Sequence, residues 1–91
     1  MITYLSKKEQ LLSKLFAHPL PKNFTKQELN TLMKKCNCQC GSGGRGSALK
    51  YYHVPTGRIL IFDGPHPGNE LFAYHIQKVR EFLLDIGEAN N

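Results

Sequence analysis

Four glycines and one arginine crowd the loop Gly41-Ser42-Gly43-Gly44-Arg45-Gly46-Ser47, where this chain comes nearest to phosphate chemistry. Glycine leaves backbone N–H groups exposed and turns freely, and the guanidinium adds a fixed positive charge, so such a loop suits phosphate. Downstream, Pro65-His66-Pro67-Gly68-Asn69-Glu70-Leu71 sets a histidine in a stiff corner. Histidine is the side chain best able to exchange protons near neutral pH, and loops on a rigid scaffold are where functional groups are presented. Between the two lie Lys50 and Tyr52, whereas Ala48, at the exit of the loop, carries no chemistry at all. The loop lacks the Lys-Ser/Thr ending of a P-loop and does not fit GxGxxG, which argues against a nucleotide pocket. A phosphate-contacting loop and a plain flexible connection are equally open on these residues.

Three thiols at period two, Cys36, Cys38 and Cys40, suggest metal at first sight. Structural zinc usually takes four ligands arranged as CxxC pairs, and cysteine is also a small, readily buried hydrophobe. Core packing is the expectation, with neither metal nor cofactor. Of the four histidines, His18 precedes a proline and reads as a helix stop. His53 ends a strand beside a turn, and His75 reads as an edge or surface residue of the last helix. His66 is read as functional, against the plainer alternative of a corner residue holding a helix N-terminus by a hydrogen bond. Asp63 and Glu70 are isolated, so no paired-carboxylate or Ser–His–Asp arrangement arises.

The elements that must position these groups follow from local signals. Ser6-Lys7-Lys8-Glu9 and Thr25-Lys26-Gln27-Glu28 are capping boxes that open two helices. The first carries Leu11, Leu12, Leu15 and Phe16 and closes near His18-Pro19, giving a helical segment over 6–17. In the second, Phe24 and Leu29 sit at the staple positions, and Asn37 falls where a left-handed residue ends the helix. The period then changes to two. Cys38 and Cys40 oppose Gln39 in a first strand, and Leu49, Tyr51 and His53 alternate with Lys50 and Tyr52 in a second. Val54-Pro55-Thr56-Gly57 fits a type I turn, and Arg58 to Phe62 is a third strand, apolar enough to sit mid-sheet. A last helix from about Leu71 to Ile86 buries Ile76, Val79, Phe82, Leu83 and Ile86. The order predicts an α+β fold in one domain over 1–91, a three-stranded antiparallel sheet with helices on one face.

The totals agree with a small partner-binding domain. Ninety-one residues with 41% hydrophobic content support one modest core. Net charge is +5 at pH 7, and it is unevenly placed. Between Lys22 and Arg58 seven Lys or Arg face the single acid Glu28, whereas from Asp63 onward five acids face Lys78 and Arg80. That asymmetry fits a polyanion or an acidic protein as partner, or simply solvated helix faces. No signal peptide or membrane span is read in the chain, and clustered odd cysteines favour a reducing, cytoplasmic setting.

Taken in order, several segments resemble the HicA toxin family, the YcfA-like group. Thr25-Lys26-Gln27-Glu28-Leu29 with Leu32-Met33-Lys34-Lys35 resembles its first helix, and Gly44-Arg45-Gly46-Ser47 its glycine-rich entry into the central strand. Pro65-His66-Pro67-Gly68-Asn69-Glu70-Leu71 resembles its Pro/His corner, and Ile76 to Ile86 its closing helix. The resemblance covers about 24–87, leaving 6–17 as an added N-terminal helix. It implies a fold like a double-stranded-RNA-binding domain, α-β-β-β-α, and a metal-independent endoribonuclease that cleaves messenger RNA. It also implies a HicB-type antitoxin as partner and no membrane. RNA, single-stranded or messenger, would be held by Gly44, Arg45, Gly46, Ser47, Lys50 and Tyr52, with Lys34 and Lys35 adding charge.

One departure bears on activity. In the family, Gly-Ser is followed by the histidine that serves as catalytic acid or base, and here Gly46-Ser47 is followed by Ala48. General acid–base catalysis typically contributes about 10²–10⁴-fold, so its loss leaves a weak enzyme at best. Three accounts stand side by side: an alanine put in place of an active histidine, a branch that keeps only RNA or partner binding, or a variant mechanism through His66 with Lys50 or Tyr52. A non-enzymatic binding module is therefore the alternative to a nuclease, and a metal sensor built on the three cysteines a weaker third.

Overall fold

A computed structural model describes residues 5–42, 48–66 and 68–90. Both capping boxes form with both arms in place. Ser6 Oγ accepts from Glu9 N at 3.1 Å and Ser6 N donates to Glu9 Oε1 at 3.0 Å, opening α1 (Lys7–Leu15). Thr25 and Glu28 exchange the same pair at 3.1 and 3.0 Å to open α2 (Lys26–Lys35). Phe24 and Leu29, the staple residues of α2, are fully buried. Asn37 takes φ 64°, turning the chain out of α2 into the first strand.

Three strands follow, β1 (Cys38–Ser42), β2 (Ala48–His53) and β3 (Ile59–Asp63), and then α3 (Ala73–Asp85). They form an antiparallel meander in the order β1-β2-β3. Tyr52 lies opposite Gln39 on one side and Ile59 on the other, while Lys50 lies opposite Gly41 and Ile61. The α+β architecture and element order expected from the sequence are therefore present. One face of the sheet, with Cys38, Tyr51 and Phe62, joins Leu32, Met33, Ile76, Val79 and Leu83 in a single core. Within that core α2 packs over β1, α3 over β3, and α1 against α2. Leu11 and Leu15 of α1 are part of the same cluster, so the N-terminal helix extends the core.

Four expectations are corrected. β3 is an edge strand: its apolar run splits by period, Phe62 being buried and Leu60 half-buried while Ile59 and Ile61 face solvent. The β2–β3 reversal is wider than a four-residue turn, closed by Gly57 N donating to His53 O at 2.7 Å with Gly57 at φ 75°. α1 ends at Leu15, a little before His18-Pro19, and a side chain from α3 satisfies carbonyls at its end: Arg80 donates to Leu15 O at 2.7 Å and Ala17 O at 2.8 Å. His75 is fully buried at the start of α3, with Nδ1 accepting from Phe72 N at 2.9 Å and Nε2 donating to Asp63 O at 2.9 Å. In this role the imidazole replaces the acid of a capping box, which explains its place in the interior.

Candidate functional site

The outer face of the sheet is where the described candidate residues gather. Alternation along β2 sends Leu49, Tyr51 and His53 inward and leaves Ala48, Lys50 and Tyr52 on the other side. Ala48 opens the strand opposite Asp63 and is nearly covered, whereas Lys50 is half-buried and Tyr52 exposed. Around them lies a shallow depression of about 320 Å³ lined by Gln39, Cys40, Gly41, Lys50, Tyr52 and Ile59. Sequence reasoning missed Gln39, Ile59 and Ile61 on this face. Period two in β3 was the available signal, hidden because every residue from Ile59 to Phe62 is apolar.

The other candidates stand apart. Lys34 and Lys35 are exposed in the last turn of α2, which covers the sheet from the core side, so they do not share the open face. There they complement the negative end of the helix dipole. Lys34 also lies close enough to the Cys40 thiol to oppose the upward push that burial gives it. Gly44, Arg45, Gly46 and Ser47 lie outside the described residues. His66 is exposed in a corner whose far end is stitched to α2: Leu71 N donates to Phe24 O at 2.7 Å, Lys26 N to Asn69 O at 2.8 Å, and Thr25 and Glu70 form an isolated bridge.

Two histidines are consumed by structure. His53 is buried, its Nε2 donating to Glu88 Oε2 at 2.7 Å and its Nδ1 meeting Thr56 Oγ1 at 2.8 Å. Glu88 also accepts from Asn37 Nδ2 at 3.0 Å and Lys8 Nζ at 3.3 Å, so three distant residues meet at one carboxylate. Burial works to raise the Glu88 pKa, but the hydrogen bonds from His53, Asn37 and Lys8 outweigh it and hold the group below the ordinary carboxylate range. For His75, burial lowers the pKa and a nearby Lys78 adds to this, outweighing the hydrogen bond to Asp63 O. That ring is neutral and cannot serve as a proton carrier without breaking its caps.

The cysteines pack. Cys36 and Cys38 are buried, and burial pushes their thiols up to about 11 and about 12, the neighbouring thiols adding to the shift at Cys38. Cys38 and Cys40 donate weakly to the backbone carbonyls of Cys36 and Asn30. Protonated, buried thiols are poor metal ligands and poor nucleophiles. No group of three or more His, Cys, Asp or Glu suited to a metal occurs among the described residues. No helix among them is long and apolar enough to cross a membrane.

What remains is a sheet face carrying a cation, an aromatic ring and an amide, with position 48 at its end. Such a face can bind a planar, anionic ligand, and with alanine at 48 it has no proton donor or acceptor at that point. Comparisons of the chain with family models, with curated proteins and with solved structures found no match.

Proposed function

We propose that this chain is an RNA-directed domain of the HicA toxin type, a member of a toxin–antitoxin pair whose nuclease step is disabled or weakened at Ala48. The supporting observation is the arrangement of β2: position 48, Lys50 and Tyr52 share the solvent side of one strand, beside a basic glycine-rich segment. A cation two residues and an aromatic ring four residues from position 48, on the same side of the strand, are what a nuclease needs to hold a phosphate and a base next to its proton-transfer group.

In the active form, a histidine at 48 takes the 2′-hydroxyl proton or protonates the leaving 5′-oxygen, while Lys50, Arg45 and the loop amides hold the phosphate. Its cross-strand neighbour is Asp63, whose exposed carboxylate would orient the imidazole and favour its protonated form. A HicB-type antitoxin would compete for the same basic groups with acidic ones. A cytoplasmic setting belongs to this reading.

Cleavage of a labelled single-stranded RNA in EDTA, comparing this protein with Ala48→His, tests it. Cutting by the histidine form alone supports a nuclease missing its catalytic group. If both cut, the chemistry lies elsewhere and His66 becomes the next residue to replace. If both fold and neither cuts, the nuclease reading falls. Ala48 itself favours the second reading, an RNA-binding module of the same fold, which salt-sensitive RNA affinity without cleavage by either form would select.

A further inference from the structure

We propose that the open sheet face is a stacking platform for the unpaired bases of single-stranded RNA, with the Tyr52 ring as the plate, Lys50 as the phosphate contact and the Gln39 amide at the base edge. The proposal rests on the RNA reading above and specifies the form of RNA that is held.

The face is more apolar than solvation explains. Tyr52 is 37% exposed, Ile59 50% and Ile61 52%. An antiparallel sheet with one wet face ordinarily carries polar residues there, and contiguous exposed apolar side chains mark a contact surface. The register makes these residues neighbours rather than scattered: Ile59 is directly opposite Tyr52, and Ile61 directly opposite Lys50. Cross-strand partners stand about 4.5–5.5 Å apart at Cβ, so ring, aliphatic surface and ammonium form one continuous patch.

The patch is also open. On the β1 side Lys50 faces Gly41, where an added Cβ would meet nothing within 4 Å. A glycine inside a strand often marks close approach of a ligand. The phenol of Tyr52 reaches toward the hairpin, its Oη 3.9 Å from where a Cβ on Gly57 would stand. Gln39 lies opposite the same residue on β1 and is exposed, and its amide makes no hydrogen bond among the described residues, leaving donors and an acceptor for a base edge.

Charge chooses the occupant. Like most of the lysines, Lys50 has no carboxylate partner among the described residues; what sets it apart is that it shares the outer sheet face with the Tyr52 ring. The acid on this face, Asp63, stands opposite Ala48 and diagonal to Lys50, with no ion pair between them at 4 Å or less. A cation beside an aromatic plate fits a ligand with flat π faces and a phosphate a few ångströms away. Single-stranded RNA offers both, whereas a duplex keeps its bases stacked and shows mainly backbone. An apolar protein surface would use the isoleucines and leave Lys50 desolvated without a partner.

The chain contains no tryptophan, so Tyr52→Trp places a sole indole in the plate. Titration of that variant with a short oligouridine is expected to quench the indole, and a duplex RNA of equal length is expected not to. Tyr52→Ala should weaken oligouridine binding about 5- to 150-fold while Tyr52→Phe keeps it. Lys50→Ala should reduce the salt slope by about one. If the parent protein binds oligouridine and Tyr52→Ala binds it equally well with no quench in the tryptophan form, the platform falls while the RNA reading stands. If the parent binds neither single nor double strands, both fall. If Ile59→Thr with Ile61→Thr turns a dimer into a monomer and leaves RNA affinity unchanged, the face is an interface between copies and the platform is overturned.

Discussion

The two faces of one small sheet are built on opposite terms. On the inner face every buried side-chain polar atom is satisfied among the described residues: Tyr51 Oη donates to Asn30 Oδ1 at 2.7 Å, and both ring nitrogens of His53 are engaged. On the outer face Lys50 lacks an ion-pair partner there, and Ile59, Ile61 and Tyr52 stay in water. The same strands supply both faces, since Phe62 and Ile61 are neighbours in sequence and point apart. Residues bonded in full have no capacity left for a ligand, so the face the fold does not need is where binding chemistry can reside.

Substitutions in adjacent positions can break this contrast. Phe62→Ala, on the inner face, should cost about 3–5 kcal/mol by leaving a cavity under β3, read from denaturant unfolding. Glu88→Gln should cost about 1.5–3 kcal/mol, because His53, Asn37 and Lys8 lose the charge they share. Tyr51→Phe should cost about 1 kcal/mol by leaving Asn30 Oδ1 without its donor. Ile61→Thr, on the outer face, should stay within about 0.5 kcal/mol, since the residue is exposed and the replacement keeps the β-branch. A loss at Ile61 as large as that at Phe62 would mean that something covers the outer face.

Acid sharpens the contrast further. The His75 pKa is lowered on folding, so its contribution is complete above the ordinary histidine value and is lost as pH falls through the folded one. Glu88 and Glu28 are also lowered, Glu28 because hydrogen bonds and charge from Lys14 and Thr25 outweigh its burial; their contribution is lost lower still, as pH drops through the folded carboxylate values. Stability should therefore decline first as pH falls below the ordinary histidine value and again in the carboxylate range. His75→Ala should be less stable at neutral pH and should lack the first decline, which unfolding midpoints across pH would reveal.

Local signals carried most of the fold. Both capping boxes, the staple of α2 and the left-handed Asn37 are set by residues within a few positions of one another, so sequence alone displays them. Strand order is different. An apolar run says that a strand can be buried on both sides, and only the pairing with β2 leaves Ile59 and Ile61 on an edge facing water. His75 was misplaced because its partner Asp63 O is a backbone carbonyl, brought near only when α3 docks on β3. At the site, period two placed Lys50 and Tyr52 on one side of β2, whereas Lys34 and Lys35 needed knowledge of which face α2 covers.

Glu88 owes its aim to the way α3 ends. Gly87, at φ 79°, donates to Leu84 O at 3.2 Å, and Glu88 N donates back to Leu83 O at 3.0 Å, which turns the carboxylate toward His53. During synthesis this sets an order of events. Helices α1 and α2 and the hairpin leave the ribosome well before residue 88, and at ordinary translation speeds of about 5–20 residues per second their partners must wait seconds for the carboxylate that joins them. The nascent chain thus holds Lys8, Asn37 and His53 without their shared anion until α3 is complete.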